Sequence, residues 1–358
     1  MAVKRAICTM SLGRCFAGHS LAHKLDMARQ YGFTGIELFY EDLVDLTRDM
    51  PGGDTEANQL SAAASIRKLC ANRQLDIICL QPFMHYEGLL DRELHGRRLQ
   101  EMRFWVQLAH ALGTDLVCLP SSFLAAAELT DDMDMIAEDF RELADLGLAS
   151  TPVIRFTYEA LCWGTRVDTW EASWDIVQRV ARPNFGICLD TFNIAGRIYA
   201  DPAAASGRTP DCDAAVVKSL SRLVSTVERS KVFLVQLADA ERLARPLDEA
   251  HPFHVAGQPP RMSWSRNARL FYGETAQGAY LPVKSVLDSI VHGLGYEGWM
   301  SFEVFNRRLA DEDKDVPEKM ARRAAVAWEK MARDVHIETA AGTNGAQGTD
   351  HERTQAML

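Results

Sequence analysis

The chain has no CxxC pair, no GxGxxG after its first apolar run and no basic tract, and each absence removes a class of function. Without paired thiols there is no zinc knuckle and no disulfide framework; the eight cysteines are scattered, mostly inside apolar runs, and read as reduced thiols of a cytoplasmic protein. Without the glycine fingerprint, a dinucleotide-binding sheet loses its main signal. A formal net charge of −10 leaves no field to attract a polyanion, so nucleic acid is not an expected partner. No stretch approaches the roughly 18 uninterrupted apolar residues that a membrane span needs. The opening "MAVKRAICTMSLGRCF" is basic, but its apolar piece is too short for a secretory leader. What remains is a long chain, 358 residues and 47% hydrophobic, with ample material for a large core.

That material is arranged as eight short apolar runs: 6–10, 35–39, 76–80, 115–120, 153–159, 185–190, 232–237 and 299–305. Each is of strand length and apolar nearly throughout, the pattern of a parallel strand covered on both faces. Amphipathic helical patterns separate them, several closing on glycine, as "SLAHKLDMARQYG" does at Gly32. Eight strand–helix units in order predict a closed (β/α)8 TIM barrel, an α/β fold in a single domain over residues 1–338. A long excursion at about 239–282 parts the seventh strand from its helix, and the small polar segment 339–358 reads as a disordered tail. The tryptophan-bearing helix "DTWEASWDIV" is core packing.

Barrel enzymes take their reactive groups from the C-terminal ends of the strands. Runs five to eight end at Glu159, Asp190, Gln236 and Glu303. A lone acid there is commonly a loop cap, and Asp190 before Thr191 suits that role. Four oxygen donors on four consecutive strands are another matter. Three carboxylates brought together repel one another unless a cation sits among them, and oxygen ligands suit a hard divalent metal cation such as Mg²⁺, Mn²⁺ or Co²⁺. Glu37 interrupts an apolar strand, a costly placement unless it is paired or close to that cation. Gln81 and His85 follow the third run; Asn193 and Arg197 follow Asp190; Arg266 and Arg269 lie in the excursion, where a guanidinium fork suits a substrate carboxylate.

The stretches "TMSLGRCFAGHSL", "GIELFYEDL", "CLQPFMHYEGL", "RPNFGICLDTFNIAGRIYADP", "RMSWSRNARLFYGETAQGAYLP" and "GWMSFEVFNRR" resemble the sugar phosphate isomerase/epimerase barrels, the xylose isomerase-like superfamily. Within it they are similar to the fungal 3-dehydroshikimate dehydratases of quinate catabolism. The resemblance implies a metal-dependent lyase that converts 3-dehydroshikimate, a small-molecule substrate, into protocatechuate through a metal-stabilised enolate and loss of the β-hydroxyl. It implies Glu159, Asp190, Gln236 and Glu303 as metal ligands; glutamine at 236, where many barrels of the superfamily have histidine, is the dehydratase pattern. Relatives often have histidines near Glu159 and three residues after the strand-six acid, and this chain has Leu161 and Asn193 there. His85 then becomes the expected proton carrier, with Glu159 or Glu303 in reserve. Arg269 is the first expected anchor of the substrate carboxylate, ahead of Arg266 and Arg197. A ketose epimerase on the same scaffold, or a non-catalytic metabolite-binding barrel, are the competing readings; Gln236 counts against the first and the intact donor set against the second.

Overall fold

The computed structural model describes residues 2–339. Eight parallel strands form the barrel: β1 (Ala2–Cys8), β2 (Gly35–Phe39), β3 (Asp76–Gln81), β4 (Leu116–Pro120), β5 (Arg155–Glu159), β6 (Phe185–Asp190), β7 (Val232–Leu237) and β8 (Trp299–Phe302). Each strand pairs with its sequence neighbours, and β8 returns to β1 in parallel, with Lys4 opposite Trp299 through Ile7 opposite Phe302, which closes the sheet. The eight strands appear where the apolar runs predict them. Their ends move by a few residues: β1 begins earlier than the apolar run, and β8 stops at Phe302, so Glu303 stands one residue beyond its strand.

The helices form because their starts are capped and one face is apolar. Ser20, Thr55 and Thr169 each accept the backbone N–H three residues on, and Asp91 and Asp132 accept two each. Helix Trp170–Val180 buries Trp170, Trp174, Ile176 and Val177 on one side, core packing as expected. Each such side chain contributes about 1.5–3 kcal/mol on leaving water. Gly186 explains the small residue inside β6: a Cβ there would stand 2.4 Å from the Lys231 carbonyl oxygen. Two apolar layers result. The larger lies between strands and helices. The smaller fills the barrel lumen with Ala6, Ile78, Cys79, Leu116, Cys118, Cys188 and Leu234. All eight cysteines are buried and free.

Below this level the chain departs from the simple alternation. An additional helix, Thr191–Ile198, follows β6 at once, and Asp190 is its N-cap, accepting from Phe192 N at 2.6 Å and Asn193 N at 3.3 Å. The 239–282 excursion is not featureless. Asp239–Ala240 pairs antiparallel with Arg269–Leu270, and helix Pro260–Ala268 runs into that second segment, which carries Arg269 back to the barrel mouth. Glu338–Thr339 adds a short parallel strand to Ala2–Val3. The rest of the expected polar tail, residues 340–358, lies outside the described residues. Among the described residues no helix is long and apolar enough to cross a membrane.

Candidate active site

At the C-terminal mouth Glu159, Asp190 and Glu303 present ligand atoms within 4.8 Å of one another, all three side chains buried. Each is placed by its strand: Glu159 and Asp190 are the last residues of β5 and β6, and Glu303 follows β8. Gln236, fully buried on β7, stands opposite Asp190 in the β6–β7 register. The carboxylates are also tied together. Asn193 donates from Nδ2 to Glu159 Oε1 at 2.7 Å and to Asp190 Oδ2 at 2.9 Å. Gln81 donates to Glu303 Oε1 at 2.9 Å and to Glu37 Oε2 at 3.0 Å. Gln236 Nε2 donates to the same Glu37 oxygen at 2.8 Å.

The charge count at this point is unbalanced. Burial first, then the neighbouring carboxylate of Glu303, pushes Glu37 up to about 8 and Glu159 well above the usual carboxylate range; burial also raises Glu303. Four buried acids face one buried cation. Arg269 Nη1 donates to Asp190 Oδ2 at 2.8 Å and to Glu303 Oε2 at 3.0 Å, with its guanidinium over the rings of Phe192 and Phe305. Burial pulls the Arg269 pKa down, but Asp190, Glu303 and Glu159 outweigh it and hold it above the ordinary value. One guanidinium cannot neutralise this group. A hard divalent cation fits the remaining negative charge and the all-oxygen donor set. Glu159, Asp190 and Glu303 would hold it, with the Gln236 amide oxygen as a fourth donor.

Beside the acids lies a cavity of about 600 Å³, lined by Glu159, Gln81, Arg269 and Glu303 at its base and by Phe39, Tyr40, Phe123, Leu161, Trp163 and Phe305 along its walls. It suits a small ring with one or two polar faces. Arg14, Glu41 and Arg266 stand at its polar side. Arg14 is already engaged, with Nη2 2.9 Å and Nε 3.1 Å from Glu41 Oε2. Arg266 is exposed and donates to the neutral Gln258 Oε1 at 2.9 Å. Partial burial of its guanidinium and the nearby Arg14 lower its pKa, the state of a cation in want of an anion.

The structure brings together Glu159, Asp190, Gln236, Glu303, Glu37, Gln81, Asn193 and Arg269. It does not bring Arg197, which pairs with Asp168 at 2.6 Å and does not line the cavity. Asn193 and Glu37 are buried among the acids and do not line the cavity either. His85, in a left-handed backbone conformation at φ 56°, holds its Nδ1 3.1 Å from Ser122 Oγ and packs edge-on to Phe123. Phe123 lines the cavity, and His85 sits behind it. Trp163 is a cavity residue that strand-end reading misses: it lies several residues past the end of β5, and no periodicity marks it.

Residues 25–330 match the family described as the xylose isomerase-like TIM barrel. A 3-dehydroshikimate dehydratase of Neurospora crassa is 57% identical over 343 residues, 94% of this chain and 96% of that protein. A 3-dehydroshikimate dehydratase of Pseudomonas aeruginosa is 32% identical over 304 residues, 85% of this chain but 38% of that longer protein. Among solved structures, a xylose isomerase-like TIM barrel/4-hydroxyphenylpyruvate dioxygenase fusion protein superposes with a TM-score of 0.69 at 26% identity, covering 94% of this chain and 43% of that one. Fold, closed parallel barrel and near full-length relatedness agree: the chain belongs to the xylose isomerase-like TIM barrel family and, within it, groups with the 3-dehydroshikimate dehydratases.

Proposed function

We propose that this chain dehydrates 3-dehydroshikimate to protocatechuate and water. The observation that carries the reading is the near full-length 57% identity to the Neurospora crassa dehydratase. The buried triad of carboxylates beside a ring-sized cavity supports it. Glu159, Asp190, Gln236 and Glu303 would hold a divalent cation, which when bound would supply Lewis-acid polarisation of a ketone.

The rest is work for the chain's own residues. Arg266, a cation at the cavity rim with no carboxylate partner among the described residues, receives the ring carboxylate as a charge-assisted pair. Arg269 Nη1 is engaged by Asp190 and Glu303, and because Arg269 also lines the cavity it is the second anchor for the same carboxylate. Phe39, Tyr40 and Trp163 enclose the ring and limit water around it. His85 is one candidate base for the proton next to the ketone: burial first, then Arg98, lower its pKa, which favours the proton-accepting imidazole. Glu159 is the competing carrier, because it lines the cavity and His85 stands behind Phe123. Loss of the β-hydroxyl with a proton, then of a further ring proton by tautomerisation, leaves the aromatic catechol; one water departs overall.

The test is direct. Purified protein with Mn²⁺ and 3-dehydroshikimate should give a catechol absorbance and a product 18 mass units lighter than the substrate, as expected for loss of one water. Epimerised substrate of unchanged mass would favour an epimerase, and tight binding without turnover a metabolite-binding barrel.

A further inference from the structure

Glu37 is a fourth buried acid that neither lines the cavity nor belongs to the carboxylate triad. Its side chain is fully inaccessible, midway along β2. Such a group is costly to keep charged in the interior unless it is well paired, so its position calls for a reason. Oε2 accepts two amide N–H groups, from Gln236 Nε2 at 2.8 Å and from Gln81 Nε2 at 3.0 Å, and Oε1 accepts none. Gln81 Nε2 also donates to Glu303 Oε1 at 2.9 Å.

We infer that Glu37 is the positioning residue of the metal centre. Its carboxylate sets the amide of Gln236 so that the oxygen rather than the nitrogen is available as a ligand, and it steadies Glu303 through Gln81. The inference rests on the metal site proposed above and deepens it. A glutamine ligand has a weakness that a carboxylate lacks: its two ends are nearly the same size, and one of them repels a cation. An acceptor that takes the nitrogen end removes the wrong rotamer. It also polarises the amide toward its oxygen, as the outer carboxylate does for a metal-bound histidine. The other end of the Gln236 amide accepts from the weak donor Cys188 Sγ at 3.2 Å, so a stronger interaction at Oε1 has little to displace. Two of the four proposed ligands therefore answer to one residue on the far side of the barrel mouth.

The experiment measures Mn²⁺ affinity by titration calorimetry on the purified full chain, without substrate, together with thermal melting of the unloaded protein. Glu37→Leu keeps the volume and removes the acceptor; Mn²⁺ affinity should fall about 10–100-fold, the range for loss of an outer-shell partner. Glu37→Gln retains one acceptor oxygen and should fall between wild type and Glu37→Leu. In a Gln236→Ala background, Glu37→Leu should cost several-fold less than in wild type, because the amide it orients is gone. Equal affinity of wild type and Glu37→Leu would overturn the inference. So would an equal loss in both backgrounds, or a lowered melting temperature with unchanged affinity. Wild-type protein that binds no divalent ion at all would instead overturn the metal site itself.

Discussion

Replacing Arg269 with methionine removes the one cation buried among the acids while keeping an apolar stem between Phe192 and Phe305. Two carboxylates, Asp190 and Glu303, then lose their ion-pair partner at 2.8 and 3.0 Å. Breaking a buried pair from one side typically costs about 3–5 kcal/mol. Unfolding entropy of about 2.1 cal/mol/K per residue, over a chain of this length, is roughly 0.75 kcal/mol/K, so the melting temperature should fall by about 4–7 °C. The deficit is electrostatic, and a divalent cation at the same oxygens should repair it. Mn²⁺ at a hundred times its dissociation constant adds about 2.7 kcal/mol by mass action alone. The rise on adding Mn²⁺ should be larger in Arg269→Met than in wild type, because the competing guanidinium is gone. Differential scanning fluorimetry with chelator and with Mn²⁺ reads all four values. A variant melting within 1 °C of wild type under chelation, or gaining no more from Mn²⁺, would refute the charge-balance reasoning.

Three further outcomes are expected. Arg266→Ala should raise KM for 3-dehydroshikimate by roughly 10–150-fold with kcat little changed, the loss of one charge-assisted contact of about 1.5–3 kcal/mol; steady-state kinetics separate the two. His85→Ala should lower kcat by about 10²–10⁴-fold if the imidazole carries the proton, and near-normal turnover would transfer the role to Glu159. Glu87 accepts from Ser122 N at 2.6 Å and Tyr158 Oη at 3.0 Å, and burial pushes its pKa up to about 7. Its folded pKa lies above the unfolded value, so the native state binds the extra proton and stability falls as pH rises from about 4.5 to about 7. Glu87→Gln should flatten the decline in melting temperature between pH 5 and 8; an unchanged slope would contradict the assignment.

The barrel was legible because both faces of each strand are covered, so β4 and β6 read as continuous apolar runs with no competing pattern. The acids were legible for the same reason: a carboxylate ending such a run stands out, as Asp190 does after "FGICL". The cap reading of Asp190 holds, since one oxygen caps helix Thr191–Ile198; the other oxygen faces Arg269. The side-chain wiring was not legible. Arg269 and Asp190 are 79 residues apart, and only the antiparallel pairing of Asp239–Ala240 with Arg269–Leu270 brings the guanidinium onto the carboxylates. Arg197 was misleading because the helix that carries it turns it toward Asp168. Glu37 was conspicuous as an acid in an apolar strand, but its two amide partners come from β3 and β7, and no local pattern names them.

The proposed chemistry requires one divalent cation, held by Glu159, Asp190, Gln236 and Glu303. Protein stripped with chelator and dialysed should show no catechol formation from 3-dehydroshikimate, and titration with Mn²⁺ should restore it with a stoichiometry of one ion per chain. Full activity in the stripped protein, or restoration that persists undiminished in Asp190→Asn, would contradict the account.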